Sequence, residues 1–165
     1  AGTLSPRSPM PHGYRLPTEA EWAWAARYAL SSSPTKYAWG QALPVPPGAG
    51  NFGDAAAQNL LGSALPNYSD GYAATAPVAS FSANSLGIYN LGGNVAEWVH
   101  DLYAFSPGSP GVVESDPTGP ASGSQHVIRG ASWMDTAVTE LRLTYRDNGD
   151  QPRPDLGFRI ARSAQ

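Results

Sequence analysis

Asn90, Gly93, Val95 and Glu97 place a side-chain amide, two backbone carbonyls and a carboxylate within eight residues. All are hard oxygen donors of the kind that hold Ca²⁺. Asn59 and Leu60, with Asp70 and Tyr72, offer the same mixture across a loop. Asn and Asp also make local turns on their own account, and spacing alone favours that plainer reading for both sets.

A second concentration of chemistry lies in the last third of the chain. Asp135, Glu140, Asp147, Asp150 and Asp155 crowd beside Arg142, Arg146, Arg153 and Arg159. An ion-pair network holding irregular loops together is the favoured reading. Two of these carboxylates forced together in a cleft would instead serve as general acid and base. His12, His100 and His126 are not spaced three or four residues from one another, so a histidine-bound zinc or iron site has little support. The serine-rich stretches contain neither a Gly-x-Ser-x-Gly elbow nor a phosphate-binding loop. The 165 residues contain no cysteine, which excludes disulfides, thiolate metal sites and a thiol nucleophile within them.

Charge excludes further classes. Ten basic residues, nine of them Arg, face 13 acidic ones for a net charge of -3. No basic stripe supports nucleic-acid binding. No apolar run approaches the ~20 residues of a membrane-spanning helix, and no signal-peptide pattern opens the sequence. Ala at position 1 is what a processed or trimmed product would show.

The elements that would position these groups are few. With 18 Gly, 16 Pro and only 14% charged residues, the chain does not suit a helical bundle, while 5 Trp and 8 Tyr argue against disorder. Residues 1–13 read as an irregular lead-in. Thr18 followed three positions later by Glu21 forms a capping box, and Trp22, Ala25, Ala26 and Ala29 give an apolar stripe, so a helix is expected over about 18–31. Short strands are expected at 95–99, 127–129, 141–145 and 157–161, with a long loop at 106–124. One α+β domain with little regular secondary structure fits this pattern, occupying 14–165.

Seven segments, in order, resemble the formylglycine-generating enzyme (sulfatase-modifying factor) family: Arg15-Leu-Pro-Thr-Glu-Ala-Glu-Trp22, Tyr37-Ala-Trp-Gly40, Asp70-Gly-Tyr72, Thr75-Ala-Pro-Val78, Gly87 to Trp98, Val127-Ile-Arg-Gly-Ala-Ser-Trp133 and Gly157-Phe-Arg-Ile-Ala161. The resemblance implies a C-type-lectin-like fold. It also implies two Ca²⁺ sites. One uses the Asn59 side chain, the Leu60 carbonyl, Asp70 and the Tyr72 carbonyl. The other uses Asn90, the carbonyls of Gly93 and Val95, and Glu97. With the resemblance added, calcium binding becomes the preferred reading of both sets, and neither copper nor iron is expected.

The oxidase chemistry of the family does not carry over. Alignment on Arg129-Gly-Ala-Ser-Trp133 puts Asp135 and Glu140 at the family's two copper-binding cysteine positions, and carboxylates do not replace soft thiolates for Cu(I). Ala96 stands where a groove-wall Trp is frequent. The family's N-terminal portion is not matched, so a protein partner, or that portion supplied otherwise, is expected to cover an apolar surface here. The implied function is a calcium-stabilised, non-oxidase binding, accessory or structural module of a larger assembly. The alternative is a metal-dependent, oxidoreductase-like modifying enzyme, as in siderophore maturation, using Asp135 and Glu140. Weak calcium sites fill at millimolar calcium, which favours a periplasmic or extracellular location.

Overall fold

The computed structural model describes residues 13–28, 33–105 and 111–162. His12, residues 1–12 of the lead-in, positions 29–31 of the expected helix and residues 106–110 of the expected loop lie outside them. Helix α1, Glu19–Arg27, starts as its capping box dictates. The Thr18 hydroxyl accepts the Glu21 amide at 3.1 Å, and the Glu21 carboxylate accepts the Thr18 amide at 2.8 Å. The helix is shorter than the apolar stripe predicts. Tyr28 caps it, and the free Arg27 carbonyl accepts the Thr35 amide at 3.0 Å, which turns the chain away. A second, single-turn helix, α2, covers Gln58–Leu61.

Four strands form one sheet: β1 Ala96–Leu102, β2 His126–Arg129, β3 Arg146–Gly149 and β4 Leu156–Phe158. Their order is β3-β2-β1-β4, antiparallel except for the parallel β1–β4 pair. β1 is central. Its Glu97, Val99 and Asp101 turn towards α1: Trp22 bonds Glu97, the Glu19 amide bonds Asp101, and Val99 packs in one cluster with Trp22, Leu91, Val127 and Leu143. A second cluster, around Tyr37, Phe52, Leu65, Tyr68 and Leu141, fills the space beneath the long irregular segment. The fold is α+β with little regular structure, as composition predicts.

One expected strand is absent and another is shorter, since β4 stops at Phe158, short of 161. Residues 141–145 alternate apolar and polar, and Leu141 and Leu143 are buried, yet no strand forms there. The carbonyls that a sheet partner would need are taken by the Arg129 guanidinium, which donates to Leu143, Thr144 and Tyr145 at 2.6–3.2 Å. The ladder begins only past them, at Arg146.

Candidate metal centre

Glu97 is placed by its strand under α1 and is buried. Its carboxylate accepts the Trp22 indole N–H at 2.7 Å and the Arg159 Nε–H at 2.6 Å, with a further bond from Arg159 Nη2. Asn90, in the left-handed region at φ 59°, and buried Gly93 lie on the turn that leads into β1. Backbones approach closely here: a Cβ on Gly93 would lie 2.8 Å from the Phe52 ring and 3.0 Å from the Asn51 carbonyl oxygen. Asn90, the Gly93 and Val95 carbonyls and Glu97 therefore fit a hard cation by donor type, while the charge of Glu97 is already answered by Arg159.

The other predicted set is rearranged. Asn59 and Leu60 sit on α2 and are exposed, Leu60 at 65%. Asp70 turns instead to Asn51–Phe52: its carboxylate accepts the Phe52 amide at 2.9 Å and the Tyr72 amide at 2.9 Å. Asn51 is fully buried. Its Nδ2 donates to the Ala74 carbonyl at 2.7 Å and to Asn94 Oδ1 at 3.0 Å, and its own Oδ1 has no hydrogen-bond partner. Asn94 Oδ1 also accepts the Ala76 amide, so both acceptors are fixed and the orphan atom is the Asn51 oxygen. A buried oxygen without a donor is costly, and a cation answers it. Burial, and secondarily the nearby Asp54, push the Asp70 pKa up against the Phe52 and Tyr72 amides. Asp70 is thus joined to the buried Asn51–Phe52 segment through the Phe52 amide, and not to the exposed Asn59 and Leu60.

Asp135 and Glu140 lie on the turns after β2. Asp135 Oδ2 accepts the Ser132 amide at 2.7 Å and the Ser132 hydroxyl at 3.2 Å, and Glu140 accepts the Ala137 amide at 3.1 Å. Burial raises the Asp135 pKa to about 6, the Ser132 amide opposes it, and the negative charges of Glu140 and Asp155 add to the rise. The two carboxylates are therefore neighbours in one desolvated, negative region. The rest of the C-terminal charge cluster is ion-paired as expected: Arg153 with Asp147 and Asp155, and Arg146 with Glu19. Ala96, at the frequent Trp position, is buried where β1 meets β4.

His100 and His126 lie on the sheet, with His126 Nδ1 3.2 Å from the His100 carbonyl oxygen. Burial and the neighbouring His126 lower the His100 pKa. Large apolar side chains are exposed along the β4 side of the domain, with Trp24 and Ile160 lining a cleft of about 910 Å³ and Phe158 exposed nearby at 68%. Among the described residues no helix is long and apolar enough to cross a membrane.

A lectin-like α+β scaffold with a buried Trp–Glu–Arg centre and oxygen-donor loops defines a domain class, and comparison with known proteins gives its family. Residues 1–164 match the sulfatase-modifying factor enzyme 1-like domain, and the chain belongs to that family. The formylglycine-generating enzyme of Streptomyces coelicolor is 37% identical over 161 residues, covering 92% of this chain and 48% of its own length. The mouse protein named inactive C-alpha-formylglycine-generating enzyme 2 is 35% identical over 162 residues, covering 92% and 44%. The solved structure of PvdO from Pseudomonas aeruginosa is similar with a TM-score of 0.66 at 26% identity, covering 92% of this chain and 53% of that one. The chain spans about half the length of these relatives. It is a relative without cysteine in its 165 residues.

Proposed function

We propose that this chain is a calcium-stabilised member of the family that lacks the thiol oxidase chemistry and works as a binding, accessory or structural module of a larger assembly. The observation that carries the reading is the pair of carboxylates, Asp135 and Glu140, at the cysteine positions, tied to backbone amides of their own turns. Hard oxygen donors do not hold Cu(I). A relative named as inactive is consistent with such a role. The exposed Trp24, Phe158 and Ile160 supply an apolar surface for a protein partner or for the remainder of a longer domain.

Calcium would be held at Asn51, the Phe52 and Tyr72 carbonyls and Asp70, and at Asn90, the Gly93 and Val95 carbonyls and Glu97. It would supply charge neutralisation and cross-linking of loops. Metal that binds only the folded state adds RT ln(1 + [Ca²⁺]/Kd), about 2.7 kcal/mol at a hundredfold excess over Kd. A periplasmic or extracellular setting, rich in calcium, suits such sites. Elemental analysis of the purified chain tests the proposal: calcium approaching two per chain without copper or iron is expected, and stoichiometric copper with peptide-cysteine oxidation would overturn it.

A second reading has one observation in its favour, the raised pKa of Asp135 beside Glu140. A carboxyl group titrating near neutrality is suited to proton transfer in a metal-dependent modifying enzyme, and PvdO is a structural relative. Substrate turnover abolished by Asp135→Asn and Glu140→Gln would establish it, and indifference to both changes would remove its basis.

A further inference from the structure

We propose that Asp54 is a second carboxylate of the cation site at Asn51, Phe52, Asp70 and Tyr72, making it a two-carboxylate site for a calcium-like divalent cation. The inference rests on the calcium reading above and adds a residue to it. Asp54 is 0% exposed. Its carboxylate meets only amides: Oδ1 accepts from Ala56 at 2.8 Å, and Oδ2 accepts from the Asp70 amide. Asp70 in turn holds the Phe52 and Tyr72 amides, so the loops at 50–54 and 68–72 are laced together through two carboxylates. Tyr68 closes the same space. Its hydroxyl donates to the Gly50 carbonyl and accepts the Gly50 amide.

Five carboxylates of the domain are ion-paired, whereas the buried Asp101, like Asp54 and Asp70, has no such pair among the described residues. Glu19, Glu21, Glu97, Asp147 and Asp155 each have an arginine. Among the described residues neither Asp54 nor Asp70 has a cationic partner, although burying a carboxylate without one is costly. An independent observation points to the same ligand. One residue before the Phe52 amide that holds Asp70, the fully buried Asn51 leaves its Oδ1 without a donor. No hydrogen bond among the described residues claims the carbonyls of Phe52 or Tyr72. Two carboxylates, one amide oxygen and two free carbonyls are an all-oxygen set, and Ca²⁺ takes six to eight such ligands.

The test uses calcium chloride as the probe, with the wild-type chain and Asp54→Asn compared by titration calorimetry and by melting temperature in calcium and in EDTA. Since affinity follows ligand charge count, Asp54→Asn should weaken the tighter site about tenfold or more. In EDTA the variant should melt below the wild type, because its side-chain amide meets a backbone N–H where a carboxylate oxygen had accepted one, and calcium should raise its melting temperature less. Equal Kd values, or an equal loss of melting temperature in EDTA and in calcium, would overturn the role of Asp54 while leaving the calcium reading intact. A wild type that takes up no calcium would overturn both. If the variant does not fold, a wild-type chain labelled with ¹³C at aspartate carboxyl carbons decides the matter: the first equivalent of calcium should move two aspartate resonances, and movement of one alone would refute the proposal.

Discussion

Replacing Asp135 with Asn removes a single charge from a region where burial and two acidic neighbours disfavour it, while Asn can still accept the Ser132 amide bond. The wild-type group titrates at about 6 against an ordinary 3.8. Between about pH 4 and pH 6 the folded state therefore keeps a proton that the unfolded chain has released, so stability falls as pH rises through this window and stays lower above it. A difference of about 2 pH units corresponds to about 3 kcal/mol at 1.36 kcal/mol per unit, and residual solvent contact brings the expected measurable effect to about 1–3 kcal/mol. Asn cannot titrate. Relative to the wild type, Asp135→Asn should gain about 1–3 kcal/mol between pH 4 and pH 7.

Urea denaturation of both chains at one-unit steps from pH 4 to pH 8, at fixed calcium, measures this. Other titrating groups appear in both proteins and cancel in the difference: Asp101, raised to about 6 mainly by burial; Glu21, lowered mainly by its bond to Arg15; and His100, lowered mainly by burial. Parallel stability curves for the two proteins would refute the reasoning. So would a variant that is less stable at pH 7 than at pH 4 by comparison with wild type.

Breaking the buried Glu97–Arg159 pair from either side, with Glu97→Gln or Arg159→Met, should cost about 3 kcal/mol each in chemical denaturation, and the double variant should cost less than the sum. Thr18→Ala removes the α1 cap and should lower stability by about 1 kcal/mol, with helix loss visible by circular dichroism only near the transition. Gly93→Ala drives a methyl group towards the Phe52 ring and the Asn51 carbonyl, so a loss of about 1–3 kcal/mol is expected in thermal melts. A Gly93→Ala variant as stable as the wild type would show that the turn before β1 is looser than described.

What the sequence reveals divides by range. The start of α1 is legible because its capping box is made within four residues, and the Glu97 segment is legible through an ordered set of motifs. The helix end depends on Thr35, eight residues from its Arg27 partner. The missing strand at 141–145 depends on Arg129, 14 to 16 residues away, whose guanidinium claims three carbonyls in a row. Alternation of Leu141, Arg142 and Leu143 carries no trace of that. Asn51–Phe52 and Asn59–Leu60 are the same kind of dipeptide eight positions apart. What separates them is partners 23 and 43 residues from Asn51, which bury one and leave the other on a surface turn.

Ion pairing sorts the acidic residues into two kinds. At several carboxylates that hold elements together, this chain supplies an arginine: Arg15 for Glu21 at the start of α1, Arg146 for Glu19, Arg153 for the turn before β4, and Arg159 for Glu97. Nine arginines to one lysine suit this use, since a planar guanidinium fixes geometry at lower desolvation cost. Asp54, Asp70, Asp101 and Asp135 are withdrawn from water, and no arginine pairs with them among the described residues. Holding negative charge in such places opposes folding, so structure alone does not account for it. At Asp54 and Asp70 the proposed divalent cation would resolve the imbalance and would answer the orphan Asn51 oxygen as well. At Asp135, whose pKa burial raises to about 6, a proton answers the charge below that pH. One deficit should therefore respond to calcium and the other to pH, which makes the two regions separable by experiment in a single chain.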